Sequence, residues 1–119
     1  MSRAEVVALD TMFAALADPV RRAVIRALLQ NPRRAGELAE HVDMSPPALS
    51  RHLRVLRKAG LIVERSVDED ARVRVYAVDR RAFAPVHNWL EQIEELWHEQ
   101  LEAFKVHAER ARTPRTPVA

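Results

Sequence analysis

Residues 45–62 read SPPALSRHLRVLRKAGLI. The segment opens on a serine and two prolines, carries four basic side chains and stops at a glycine. Proline has no N–H and a fixed φ, so in the first turn of a helix it removes donors that would have no intrahelical partner. Ser45 is a helix N-cap by type and Gly60 a C-cap by type, and together they predict a helix over 45–59. At ~100° per residue, Leu49, Leu53 and Leu56 share a narrow arc. Pro47, Arg51, Arg54 and Lys58 fall opposite. Ser50 and Arg57 lie on one shoulder and His52 on the other. Short residues at the front with long cations behind suit entry into a DNA major groove, with the helix dipole and arginines meeting phosphate. A basic face alone is more often a merely solvated one, so the neighbouring segments decide.

Upstream, residues 4–17 repeat apolar side chains at three and four (Val6, Leu9, Met12, Phe13, Leu16), which predicts a first amphipathic helix. Asp18-Pro19 breaks it and starts a second, to about Leu29, with Val20, Val24, Ile25, Leu28 and Leu29 inward and Arg22 and Arg26 outward. Asn31-Pro32 ends that helix. A short third helix is expected over 36–42, burying Leu38, Ala39 and Val42, followed by a tight turn. Downstream, 62–67 and 73–78 are rich in β-branched residues and read as strands joined by a loop over 68–72. A last helix is expected over 81–110, with Val86, Leu90, Ile93, Trp97, Leu101 and Phe104 on one stripe, widened by Trp89 and Leu96. Residues 111–119 have little to bury and are expected to be disordered. The predicted fold is mainly α with a small β-hairpin, in the order α-α-α-α-β-β-α. Residues 1–110 would form one domain. Two short helices around a tight turn, backed by a two-stranded wing, make a winged helix-turn-helix.

Composition agrees with a DNA-facing role. The chain has 119 residues, 48% hydrophobic and 30% charged, with a net charge of only +2. The charge is unevenly placed. Residues 19–81 hold thirteen arginines and one lysine against eight acids, a balance of +6, and residues 82–110 hold two bases against six acids, a balance of −4. A basic centre beside an acidic helix points to one face for a polyanion and a separate part with another task. No cysteine is present, which removes disulfides, thiolate metal sites and a cysteine nucleophile together. No apolar run is long enough to span a membrane. The acids within MSRAEVVALD do not suit a signal peptide, and the cytoplasm is the expected location. The two glycines leave no phosphate-cradling loop, and Ser50 and His52 point in different directions on their helix, so enzymatic chemistry is not expected.

The runs FAALADPVRRAVIRALL (13–29), GELAEHV (36–42) and SPPALSRHLRVLRKAGLI (45–62) resemble the ArsR/SmtB family of bacterial winged-helix repressors, from about residue 10 to 105. The resemblance implies a dimer that binds imperfect inverted repeats in promoters and releases them on a metal or other signal. It implies that Ser45, Pro46, Pro47, Ser50, Arg51 and His52 approach bases or backbone, the family's recurrent Ser and His falling on Ser50 and His52. His52 has an alternative as a packing residue with one polar edge. Arg54, Arg57 and Lys58 complete the expected DNA face of the helix.

Three departures from the family pattern stand out. Asp43 occupies a turn position that is often glycine, which is tolerable because Asp visits left-handed conformations. Arg34-Ala35 offers the third helix no polar cap. The expected wing tip, Asp68-Glu69-Asp70, would repel phosphate, so the wing's contacts are assigned to Arg72 and Arg74, with Arg65 a further candidate; the bland role for these arginines is solubility of a sheet edge.

The family's metal boxes are missing. GELAEHV holds no cysteine, and the corresponding start of the last helix falls near Arg80 and Ala82, which cannot ligate. No cofactor is expected. His87 and His98 share a helix face but stand ~16 Å apart, so they could bind one ion only across an antiparallel helix pair. Exposed His–Glu pairing is the simpler expectation for them.

The apolar faces of the terminal helices are too large for a small monomer and predict a two-fold dimer. Its residues would be Val6, Leu9, Met12, Phe13, Trp89, Ile93, Leu96, Trp97, Leu101 and Phe104. Three functions therefore compete: a dimeric repressor on double-stranded DNA with an unknown effector, a metal-responsive variant using the last helix, and a protein-interaction module whose basic face is incidental.

Overall fold

The structure, a computed structural model, describes residues 1–67 and 70–112. In chain order it has α1 (Arg3–Leu16), α2 (Pro19–Gln30), α3 (Ala35–His41), α4 (Pro46–Lys58), β1 (Ile62–Val67), β2 (Asp70–Val78), a 3-10 turn (Arg80–Phe83) and α5 (Ala84–Arg112). The described residues form two compact units, Met1–Val86 and the part from His87 onward.

The first unit is organised by its caps. Asp18 accepts from the backbone N–H groups of Val20 and Arg21 at 2.8 and 3.2 Å and starts α2 one residue before Pro19. The ends of α3 and α4 share one device. After α3, Asp43 N–H bonds to Glu40 O and Met44 N–H to Ala39 O; after α4, Gly60 N–H bonds to Arg57 O and Leu61 N–H to Leu56 O. These paired bonds close a helix when the residue just past its cap is left-handed. Gly60 has φ 77°, at no steric cost. Asp43 has φ 54°, which a short polar side chain tolerates. The turn of the helix-turn-helix is thus made by an aspartate, while α3 starts at Arg34 without a side-chain cap.

Around those turns, Leu38 and Ala39 of α3, Leu49, Leu53 and Leu56 of α4 and Val24, Ile25, Ala27 and Leu28 of α2 form one buried cluster with Met12, Ala15, Leu61 and Ile62. Each leucine so buried contributes roughly 1.5–3 kcal/mol. The three α4 leucines therefore hold the helix's inner face down, as their arc predicts. Leu29, expected inward, is exposed, and Ala27 takes its place one turn after Val24.

The wing is an antiparallel pair with Ile62 opposite Val78, Glu64 opposite Tyr76 and Ser66 opposite Arg74. An irregularity lies between Ser66 and Val67. Strand β2 begins at Asp70, so residues 70–72, expected in the loop, belong to the strand. Asp68 and Glu69 of the expected tip lie outside the described residues. Arg33, just before α3, exchanges two backbone bonds with Tyr76, at 3.1 and 2.8 Å, and adds a third rung beside the wing.

The last helix begins at Ala84, later than the expected residue 81. Asp79 caps a 3-10 turn over Arg80–Phe83 by accepting from Arg81 N–H, and α5 follows at Ala84. Pro85 explains the shift, because proline fits only the first turn of a helix. Ala111 and Arg112, expected in the tail, are helical, and residues 113–119 lie outside the described residues. Within the second unit, α5 presents Leu90, Ile93, Leu96, Trp97, Leu101, Phe104 and Val106 to solvent, with Trp97 62% and Phe104 68% exposed. Among the described residues no helix is long and apolar enough to cross a membrane.

Candidate nucleic-acid interface

The outer face of α4 carries the expected cations. Ser45, Pro46, Pro47, Ser50, Arg51, Arg54, Arg57 and Lys58 are all exposed. Among the described residues the side chains of Arg51, Arg54 and Lys58 have no ion-pair partner, so three guanidinium or ammonium groups stand in water. Ser50, Leu53, Arg54, Arg57, Lys58 and Tyr76 line a cleft of about 400 Å³ between α4 and the wing. Its walls are basic on the helix side and aromatic on the strand side.

The front of α4 differs from a usual anion-binding helix end. Pro46 and Pro47 have no N–H, the Ala48 N–H is taken by Ser45 Oγ at 3.4 Å, and Leu49 N–H already bonds to Ser45 O. No backbone donor of the first turn is left to receive a phosphate. The cations of this face are the exposed side chains of Arg51, Arg54, Arg57 and Lys58. What the front offers instead is a slim apolar edge, the kind that rests against thymine methyl groups.

His52 is tied into the fold. Its Nδ1 lies 3.3 Å from Arg21 Nη1 and 3.9 Å from Asp18 Oδ1, and its side chain is 19% exposed. A guanidinium can only donate, so in the neutral ring Nδ1 accepts and Nε2 carries the proton. Arg21 in turn donates to the carbonyls of Ala14 and Ala15 at the end of α1. This chain of contacts fixes α4 against the α1–α2 junction. Asp18 is held below the usual carboxylate range, chiefly by the Arg21 backbone N–H; desolvation opposes this, and the Val20 N–H, His52 and the Arg21 guanidinium add to it.

On the wing, Arg72 and Arg74 are both exposed. Arg74 Nε lies 3.5 Å from Glu64 Oε1, and Arg57 Nη1 of α4 lies 3.0 Å from Glu64 Oε2. Two expected DNA-contacting cations thus share one acid. By strand alternation, Glu64, Arg74 and Tyr76 share one face of the hairpin with buried Ile62, and Arg65 points to the other. Glu64 was not among the residues singled out from sequence. The signal was present: an acid two residues after a core isoleucine, on the face that packs under α4.

The dimer candidates divide. Leu9 and Met12 are buried within the chain itself, Met12 in the main cluster, so their assignment to an intersubunit surface is corrected. Val6, Phe13, Ile93, Leu96, Trp97, Leu101 and Phe104 are exposed, and Trp89 is half-buried. His87 pairs with Glu91 at 2.9 Å and His98 approaches Glu102 at 4.0 Å, both one helical turn on. Among the described residues no three His, Asp or Glu side chains are grouped so as to hold a metal ion. The residues that are present do not fit the metal boxes of the resembled family.

Residues 18–63 match the model of the bacterial regulatory protein arsR family. The chain is similar to the crystal structure of an ArsR family transcriptional regulator, with 37% identity and a TM-score of 0.64 over 76% of this chain and 91% of that one. The chain belongs to the ArsR family. This ArsR-family protein is also 37% identical over 83 residues to the HTH-type transcriptional regulator Rv2034 of Mycobacterium tuberculosis, spanning 70% of this chain and 75% of that protein. It is 29% identical to the transcriptional repressor SdpR of Bacillus subtilis, over 69% of this chain and 88% of that one. An ArsR-like transcriptional regulator from Rhodococcus sp. RHA1 superposes with a TM-score of 0.68 at 28% identity, over 87% of this chain and 94% of that one. The ArsR-family protein described here is a DNA-binding transcriptional regulator with a winged helix-turn-helix fold, and its family is not one of enzymes.

Proposed function

We propose that this regulator is a homodimeric repressor that grips an inverted-repeat operator with α4 and the wing of each subunit. The observation that carries the reading is the pair of faces on α4: leucines buried inward, and exposed Arg51, Arg54 and Lys58 outward, Arg54 and Lys58 lining the cleft to Tyr76. In this reading Pro46, Pro47, Ser50 and Arg51 meet base edges, and Arg54, Arg57, Lys58, Arg72 and Arg74 meet phosphate. His52 holds the helix in place through Arg21 and Asp18. The exposed stripe of α5, with Val6 and Phe13 of α1, supplies the contact between subunits and sets the two reading helices about one DNA turn apart. Repression is supported by the similarity to the Bacillus transcriptional repressor, and the cytoplasm, where the DNA is, is the proposed location.

The test is fluorescence anisotropy on a duplex from the gene's own upstream region across a salt series. Five or more neutralised phosphates over two subunits should give a log–log slope of about −4 or steeper. Weak, salt-insensitive binding would instead favour a protein-interaction module.

A further inference from the structure

The cleft between α4 and the wing is bridged by one acid. The Glu64 side chain is 18% exposed and its two oxygens take one guanidinium each, from Arg57 on the helix and Arg74 on the strand, which are 52% and 56% exposed. Its register explains the reach. Glu64 faces Tyr76 across the hairpin, so Arg74 is its diagonal neighbour, within range of a long side chain. Arg57 follows core residue Leu56 and leans toward β1.

We infer that Glu64 is a positioning residue that determines DNA specificity: it aims Arg57 and Arg74 and subtracts charge from the DNA face. The inference rests on the DNA-binding reading above. Each guanidinium has five N–H donors and spends only part of its fork on Glu64, Arg57 through Nη1 and Arg74 through Nε. The remaining donors are held in one direction rather than sweeping the surface. At the same time the trio carries a net charge of +1 where two unpaired arginines would carry +2. Non-specific binding is almost wholly electrostatic, so it loses most from that subtraction. Binding to a matched site keeps its base contacts from the front of α4 and gains from the fixed arginines. Glu64 thus lowers affinity for all DNA while raising the ratio of matched to unmatched binding.

Glu64→Gln, Glu64→Asp and Glu64→Ala are compared with wild type in the full chain. Each is titrated against the upstream duplex and a random-sequence duplex of about 30 base pairs over a salt series, with the melting temperature recorded. Glu64→Gln should bind the random duplex roughly three- to tenfold more tightly at low salt, with a slope steeper by about one per subunit. Its preference for the upstream duplex should fall. Glu64→Ala should do the same, and Glu64→Asp, which keeps the charge, should restore the wild-type slope. A Glu64→Gln protein with wild-type slope and preference but a lower melting temperature overturns the inference and leaves Glu64 a structural staple, with the DNA reading intact. Wild type that binds neither duplex with salt dependence removes the DNA reading, and this one with it.

Discussion

At the scale of single residues, Asp18 shows how one side chain serves two levels. It caps α2 through two backbone N–H groups and lies 3.9 Å from His52 Nδ1, so the start of one helix and the anchoring of another meet at one carboxylate. Its pKa is lowered from 3.8 in the fold. The proton is therefore bound more weakly in the folded chain than in the unfolded one. The stability this gives is fully present above the unfolded value near 3.8 and is lost as pH falls through the lower folded value. Asp18→Asn should melt below wild type at pH 7, and the gap between the two melting temperatures should narrow at pH values below about 4. A gap that stays constant from pH 7 to pH 3 would show that the charge of Asp18 does nothing beyond capping. The cap itself is legible in the Asp-Pro pair. The link to His52 is not, because it joins positions 34 apart in sequence and depends on where Arg21 lies between them.

Among the elements, α4 is the one whose reading survives nearly whole. Its cap, its prolines, its leucine arc and its closing glycine are each local signals, and local signals agree when they lie within a single helix. Its face assignment gives a prediction about DNA. Arg54→Ala should weaken binding to matched and random duplexes alike and flatten the salt slope by about one per subunit. Ser50→Ala or Arg51→Ala should also change the order of preference among sequences, at a cost of about 1–3 kcal/mol on the matched site for a base-contacting arginine. Binding curves for all three variants that overlay wild type would remove α4 as the reading helix. The wing and α5 are less legible in the sequence. Asp70 to Arg72 is polar and resembles a loop, but the strand there is set by backbone pairing past an irregular step, which side-chain pattern does not report. The start of α5 is expected at residue 81 from sequence, whereas Pro85, which fits only a first turn, sets it at Ala84. The charge-sharing of Glu64 needed the register of β1 on β2 before it could be seen.

For the whole molecule, the long helix α5 carries an exposed apolar stripe. A helix of 29 residues with Leu96, Trp97, Leu101 and Phe104 in water is under strong pressure to cover them. Leu101→Glu should convert a dimer into a monomer in sedimentation velocity while leaving the helical circular dichroism signal in place, and it should weaken operator binding by at least about tenfold because one reading head is lost. A dimer that withstands both Leu101→Glu and Trp97→Glu would move the subunit contact off this helix. That the stripe is apolar was visible from spacing alone. That Leu9 and Met12 belong to the chain's own interior was not, because an amphipathic helix shows which face is apolar but not what that face meets. If pairing through α5 is what completes the regulator, then at low expression the amount of operator-competent protein follows the square of the chain concentration. Halving synthesis would then cut occupancy about fourfold, so gene dosage, as much as any inducer, would set the threshold at which the promoter opens.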